Sequence, residues 1–536
     1  MKQAYPSLII FCILFILNTL TAVIYNLCNE IWLMMPIRLG AALINGAGVT
    51  LLMVLAIHYI HKLFHINLTK IVLFIAYFFF AIESFLLLNF YSLITPSIIM
   101  VTIETNHSEA SEFFASYFDI HTCMVLFSIL IVGILLFYYY KKLLNIPLPA
   151  WLHKKAILIP TCTLTLLIYV GLTYYITHIR HMTSYQALTG IERVWHSSQN
   201  AIHDRAEYSK YLQLVKQDAP VLISNSSEVP YVIIILGESL SKLHMDAYGY
   251  QLPTTPKLSQ QIKDNKTLKF DSVKTPRTVT SESIRQIMTF FDDKSAAPWY
   301  QYHTLPAVMK QAGYYTCWLS NQDSFTAGDD NSTAGIASTS DCVRFPHQRH
   351  ASEERYGYFD GELLTLLDQE LRKPHEKAFF CLHLMGSHRR YTNRYPTEFN
   401  KFSINDIAKD ISNEKKRTIA EYDNSVLYND FVCDQIIQRF QNKDAIVFSF
   451  PDHGEEVYDT RNMCGHGLHN PSSPMQEIPF LIWTSEMFKR KHPNIVEQMK
   501  NATNKPFNTA NIIHTIMDIC GIQTKDYEIQ KSLLFN

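Results

Sequence analysis

Long apolar runs crowd the first third of this chain and then stop. Five of them, Ser7–Leu27, Ala41–Ile60, Ile71–Tyr91, Thr122–Tyr140 and Ala156–Ile176, are long enough to cross a bilayer, which takes roughly 20 residues in a helix. The first has too long an apolar core for a signal peptide, lacks an Ala-x-Ala-like exit and is followed by four more runs, so it reads as an anchor. Beyond His178 the apolar runs become short. Tyr231–Leu236, Tyr314–Ser320, Ala378–Leu384, Ala445–Phe450 and Phe480–Ser485 read as buried strands. Helix-spaced stretches such as Ile284–Phe291 and Ala420–Phe440 alternate with them. This alternation predicts an α/β domain with a largely parallel sheet. The pattern divides the chain into a five-helix transmembrane domain over 1–177, a connector over 178–228 and a soluble domain over 229–536. Within the connector, Ile191–Val215 carries Trp195, Ile202 and Tyr211 among polar residues. It fits a helix that either lies on the membrane surface or packs on the soluble domain.

Charge orients the spans. Lys2, Lys62, Lys70, Lys141, Lys142, Lys154 and Lys155 flank one side. The loop Ser92–His121 has no Lys or Arg and carries Glu104, Glu109, Glu112 and Asp119. The positive-inside rule puts the N-terminus in the cytoplasm and the soluble domain outside. A net charge of -1 over 536 residues gives no sign of a nucleic-acid partner. Cys317, Cys342, Cys381, Cys433, Cys464 and Cys520 lie in the soluble domain, and their spacing reveals no pairing.

The candidate chemistry sits at strand ends. The run Tyr231–Leu236 leads into Gly237-Glu238-Ser239, Ala378–Leu384 into Met385-Gly386-Ser387-His388, and Ala445–Phe450 into Pro451-Asp452-His453-Gly454. Open α/β sheets bind ligands outside the carboxyl ends of their strands. Each motif alone is as well explained by a turn or a cap. Together, Glu238, Asp452 and His453 offer the carboxylate and imidazole donors that a divalent ion takes. The hydroxyl-rich segment Lys274–Ser283 precedes a helix and offers a Thr nucleophile, since a helix N-terminus favours an anion. His388 and His466, with His469 as the local alternative to His466, are placed to hold a phosphoryl oxygen or to act as acid or base.

These residues resemble the phosphoethanolamine transferases of the alkaline-phosphatase/sulfatase superfamily. The resemblance rests on the five spans, Glu104-Thr105-Asn106 with Glu109-Ala110, Gly237-Glu238-Ser239, Tyr248-Gly249-Tyr250 with Thr254-Thr255-Pro256, Trp318-Leu319-Ser320-Asn321-Gln322, Met385-Gly386-Ser387-His388, Tyr422-Asp423-Asn424-Ser425 and Asp452-His453-Gly454-Glu455. It implies an alkaline-phosphatase-like (sulfatase-like) catalytic domain in the periplasm of a multi-pass bacterial inner-membrane protein. It implies a zinc site of Glu238, Thr280, Asp452 and His453, with one or two divalent ions left open. Thr280 is the implied nucleophile, by its register with Ser283, and Thr278 is the alternative. His388 and His466 would engage the phosphoethanolamine group, and Thr105, Glu109 and Asn321 the substrates. The donor would be phosphatidylethanolamine and the acceptor lipopolysaccharide or another envelope glycan. The Cys-Gly-Thr-x-Thr run of lipid A-modifying members is replaced by Pro276-Arg277-Thr278-Val279-Thr280, which points toward the branch that modifies core sugars or other glycans. The Cys/Ser-x-Pro-x-Arg signature of true sulfatases is absent. Two competing readings are a phosphoglycerol transferase of the lipoteichoic-acid-synthase type and a non-enzymatic membrane scaffold or transporter.

Overall fold

The computed structural model describes residues 5–29, 35–90, 92–95, 98–99, 120–143, 187–199, 219–322, 332–346, 359–467 and 471–535, with isolated positions between 102 and 118 and between 163 and 202. The chain divides into two compact units, the first lying within residues 1–203 and the second carrying residues 204–536.

In the first unit, four of the expected spans are helices: α1 (Tyr5–Asn29), α2 (Met35–Phe64), α3 (Thr69–Phe90) and α4 (Ile120–Leu143). Each contains a stretch long and apolar enough to cross a membrane. The fifth, Ala156–Ile176, lies outside the described residues except for isolated positions. Small residues let the helices approach, as they do in bilayers, where packing rather than hydrophobicity holds helices together. A Cβ on Gly46 of α2 would stand 2.1 Å from Thr19 Cγ2 of α1. Polar side chains point inward and satisfy one another. Asn18 Nδ2 donates to Thr50 Oγ1 at 3.0 Å. Glu83 of α3, fully buried, accepts from Thr21 Oγ1 at 2.6 Å and from Arg193 Nε and Nη2 at 2.5 Å each. Arg193 lies on a helix over 190–199, within the expected helical connector, and the same helix carries the exposed Trp195.

The second unit is built on a seven-stranded sheet. Its strands are β1 (Tyr231–Gly237), β2 (Thr267–Phe270), β3 (Tyr315–Ser320), β4 (Cys342–Arg344), β5 (Ala378–His383), β6 (Ala445–Pro451) and β7 (Phe480–Thr484). The spatial order is β2-β7-β6-β1-β5-β3-β4. Strands β6, β1, β5, β3 and β4 run parallel, and β7 runs against both β6 and β2. The continuous apolar run of β1 follows from burial on both faces. Val232, Ile234 and Leu236 enter one core with Phe448 and Phe480, while Ile233 and Ile235 enter the other with Phe380 and Leu382. All five strands expected from the sequence are present. The two not expected, β2 and β4, are the sheet edges, of four and three residues, too short for a period to register.

Three helices matter to the site. Helix α5 (Thr280–Ile287) follows the hydroxyl-rich turn. Helix α6 (Leu363–Leu371) packs on β3. Helix α7 (Asn413–Gln438) starts where Ser412 caps it, its side chain accepting from Lys415 N. Its buried face includes Tyr422, Asp423, Asn424 and Ser425. Tyr422 hydroxyl donates to Ser239 O at 2.7 Å and accepts from Ser241 N at 2.8 Å, which anchors the loop after β1.

Candidate active site

The carboxyl ends of β1, β5 and β6 are laced together beyond the sheet. Asp452 N donates to Gly237 O at 3.1 Å, and Ser387 N to Glu238 O at 3.0 Å. Gly386 makes the second contact possible. It has φ +53, and a Cβ there would lie 2.6 Å from Glu238 O and 2.8 Å from Glu238 N. The turn carrying Gly386 is held by Asp360, which is buried and accepts from Met385 N at 2.8 Å and Gly386 N at 2.9 Å. On the other side, Thr275 and Ser283 hydroxyls both donate to Asp452 O, the latter at 2.6 Å, tying the strand end to the start of α5.

These ties bring four predicted residues to one point. Thr280 Oγ1, on the first residue of α5, donates to Glu238 Oε2 at 3.1 Å and lies 3.3 Å from His453 Nε2. His453 Nε2 is 3.2 Å from Glu238 Oε1 and 3.5 Å from Asp452 Oδ2. Glu238, Asp452 and His453 are all buried, with ligand atoms within 4.8 Å of one another. His453 Nδ1 faces Gly454 O at 2.9 Å. A carbonyl only accepts, so Nδ1 carries a proton and Nε2 is the ring atom that faces the centre. Asp452 Oδ1 accepts from His453 N at 2.7 Å, while its buried Oδ2 has no hydrogen-bond partner among the described residues.

The electrostatics ask for a cation. Burial pushes the Asp452 carboxyl well above the usual range, and the neighbouring Glu238 charge adds to the push. Burial would raise Glu238 too, but the charges of His453, His388 and His466 hold it well below. Burial depresses His453, yet Asp452 and Glu238 prevail and lift it to about 10. Two buried carboxylates, a hydroxyl and an imidazole whose Nε2 proton a bound cation would replace therefore fit a divalent ion.

A second group adjoins the first. His466 Nδ1 lies 2.7 Å from Glu455 Oε2, and Glu455 Oε1 accepts from Tyr391 hydroxyl at 2.8 Å. The rings of His453 and His466 are 4.1 Å apart, and those of His388 and His466 are 6.4 Å apart. His453, Glu455 and His466 also satisfy the spacing of a metal site.

The other expected residues fall elsewhere. Thr278 Oγ1 donates to Gly467 O at 2.6 Å, away from the carboxylates. Asn321 Nδ2 donates to Asp360 Oδ1 at 2.7 Å, in the layer that supports the Gly386 turn. Thr105, Glu109 and His469 lie outside the described residues. The sequence reading assigned no role to Glu455, Thr275, Ser283, Asp360 or Tyr391. Only Glu455 carried a signal, standing two residues beyond His453 in a motif already quoted.

A largely parallel α/β sheet with a carboxylate–imidazole–hydroxyl cluster at its carboxyl ends is the arrangement of a sulfatase-like domain. The family model described as Sulfatase matches residues 230–522, and the chain belongs to that family. Among curated relatives, the chain is 28% identical over 466 residues to phosphoethanolamine transferase EptC of Escherichia coli (strain K12), covering 82% of this chain and 77% of that protein. Among solved structures, the C-terminal periplasmic domain of Escherichia coli EptC in complex with Zn is 31% identical, covering 59% of this chain and 90% of that chain, with TM-score 0.54. The integral membrane lipooligosaccharide phosphoethanolamine transferase A from Neisseria meningitidis shares the fold at 19% identity and TM-score 0.62, covering 98% of this chain and 97% of that one.

Proposed function

We propose that this protein is an inner-membrane phosphoethanolamine transferase, with its second unit in the periplasm, that moves phosphoethanolamine from phosphatidylethanolamine to lipopolysaccharide or another envelope glycan. The observation that carries this reading is the meeting of Thr280 Oγ1 with Glu238 Oε2 and His453 Nε2 beside the buried Asp452 Oδ2, which accepts no hydrogen bond among the described residues. It is supported by the kinship with EptC, whose domain was solved with Zn.

Zinc held by Glu238, Asp452, His453 and Thr280 would supply the positive charge that lowers the hydroxyl pKa and offsets charge on the phosphoryl oxygens. Thr280 Oγ attacks the donor phosphorus. The Oγ–phosphorus bond forms as the bond to the diacylglycerol oxygen breaks. His388 and His466 orient the phosphoryl oxygens and carry a proton to the departing alcohol. An acceptor oxygen then attacks the phosphorus from the vacated side, its bond forming as the bond to Thr280 Oγ breaks and its proton passing by way of a histidine to the released Thr280 oxygen, so one site serves two bulky substrates in turn. In the outer loop, Thr105 and Glu109 receive the donor headgroup, a carboxylate pairing with its ammonium.

Intact-mass measurement after incubation with phosphatidylethanolamine alone tests this. A single phosphoethanolamine adduct mapping to Thr280 is expected. No adduct, or an adduct on Thr278, overturns it, and a phosphoglycerol adduct formed instead from phosphatidylglycerol identifies the competing donor.

A further inference from the structure

We propose that Cys317 and Cys342 form a disulfide that staples the edge strand of the sheet. Strand β4 is the last in the sheet order and pairs only with β3. In that parallel pairing Cys317 and Cys342 are direct register partners. Neighbouring strands lie roughly 4.8 Å apart, inside the Cα separation that a disulfide spans. The register is locked one residue earlier. Asp341 Oδ2 accepts from both Thr316 N and Thr316 Oγ1 at 3.0 Å, and Asp341 N donates back to Thr316 Oγ1 at 2.9 Å. The two sulfur atoms and a Glu370 carboxylate oxygen lie within 4.8 Å of one another.

The same three groups could hold a soft metal, but the surroundings argue for oxidation. Glu370 is already neutralised by Arg344 Nη1 at 2.8 Å and Lys373 Nζ at 2.6 Å, and Tyr315 hydroxyl donates to it at 2.8 Å. An added cation would have to displace two resident ones. The thiols are also unlike each other. Cys317 is buried, and Cys342 is partly exposed. A hydrogen bond from Cys317 lowers the Cys342 thiol to about 6 against the opposing effect of burial, while Cys317 is raised. Cys342 is therefore the entry point. Its thiolate attacks a sulfur of a disulfide-class oxidant, giving a mixed disulfide. Cys317 then loses its proton and attacks Cys342 Sγ, and the oxidant leaves as a dithiol carrying the two electrons. A closed bond removes the weakness of a three-residue edge strand and constrains the unfolded chain.

In cells the oxidant is available only outside the cytoplasm, so this inference rests on the periplasmic placement proposed above. Full-length protein is extracted after thiols are trapped with N-ethylmaleimide, then digested without reduction. A linked peptide joining Cys317 to Cys342, lost on reduction and absent in Cys342→Ala, is the expected result. A second arm equilibrates reduced, purified protein with oxidised glutathione. A bond that forms there but not in cells keeps the pair and overturns the periplasmic placement. Two cysteines that alkylate fully after denaturation in both arms, or Cys342 linked to a different cysteine, overturn the pair.

Discussion

Two threonines separated by one residue have different fates here, because Thr278 spends its hydroxyl on Gly467 O while Thr280 aims at Glu238 and His453. Thr280→Ala should lower phosphoethanolamine transfer by about three orders of magnitude or more, as expected of a lost nucleophile. Thr278→Ala loses one hydrogen bond, about 1 kcal/mol, and should cost less than about tenfold. Initial rates with a fluorescent phosphatidylethanolamine check both. Gly386→Ala forces a Cβ against the Glu238 backbone at a left-handed φ, a strain of about 1–3 kcal/mol. Bound zinc and activity should fall together, read by elemental analysis and turnover. His244 makes a pH prediction. Its ring sits between Asp423 Oδ1 at 2.6 Å and Asp459 Oδ2 at 3.2 Å, and although burial opposes the charge, the two carboxylates lift it from 6.5 to about 9. A folded pKa above the unfolded value gives stability that is complete below 6.5 and lost as pH rises through about 9. The contribution is on the order of 3 kcal/mol. Denaturation midpoints across that window should decline, and the decline should flatten in His244→Gln. Glu238, Asp452 and His453 were legible because each ends an apolar run. Thr275, Ser283, Asp360 and His244 were not, because their partners lie far along the chain and only the folded sheet brings them together.

At the level of elements, strands buried on both faces announced themselves, while the edges did not. Four of the five expected spans were equally legible by length, but the apolar run gave no role to Glu83 inside α3. An ionisable residue at that depth is a signal in itself. Its partner, Arg193, comes 110 residues later, from a helix whose sequence fits either a membrane surface or a protein surface. Glu83 accepts from both Arg193 Nε and Nη2, so removing one partner leaves a buried charge behind. Glu83→Ala should therefore destabilise the first unit by about 3–5 kcal/mol. A fall in the melting temperature of the detergent-extracted protein checks this. Joint replacement of Glu83 and Arg193 by apolar residues should recover most of the loss, because a buried pair is worth far less than either half alone costs.

For the whole molecule, metal and fold should be linked. A chelator leaves Asp452 and Glu238 buried together with the single charge of His453 to offset them, so the melting temperature should fall, and added zinc should restore it. At a hundredfold excess over the dissociation constant the recovery is about 2.7 kcal/mol. Asp452→Ala should show no response to chelator or to zinc. The order of the chain carries another consequence. Strand β1 is the middle of the sheet, yet its neighbours β5 and β6 begin only at Ala378 and Ala445. As the polypeptide emerges from its N-terminus, Tyr231–Gly237 exists for much of synthesis as a sticky strand with both edges bare, and its run of three isoleucines is the kind of segment that nucleates aggregates. On the periplasmic placement proposed above, that segment crosses the membrane unpaired and waits until some two hundred further residues have followed it, so co-expression of a holding chaperone on the far side should raise the yield of folded protein.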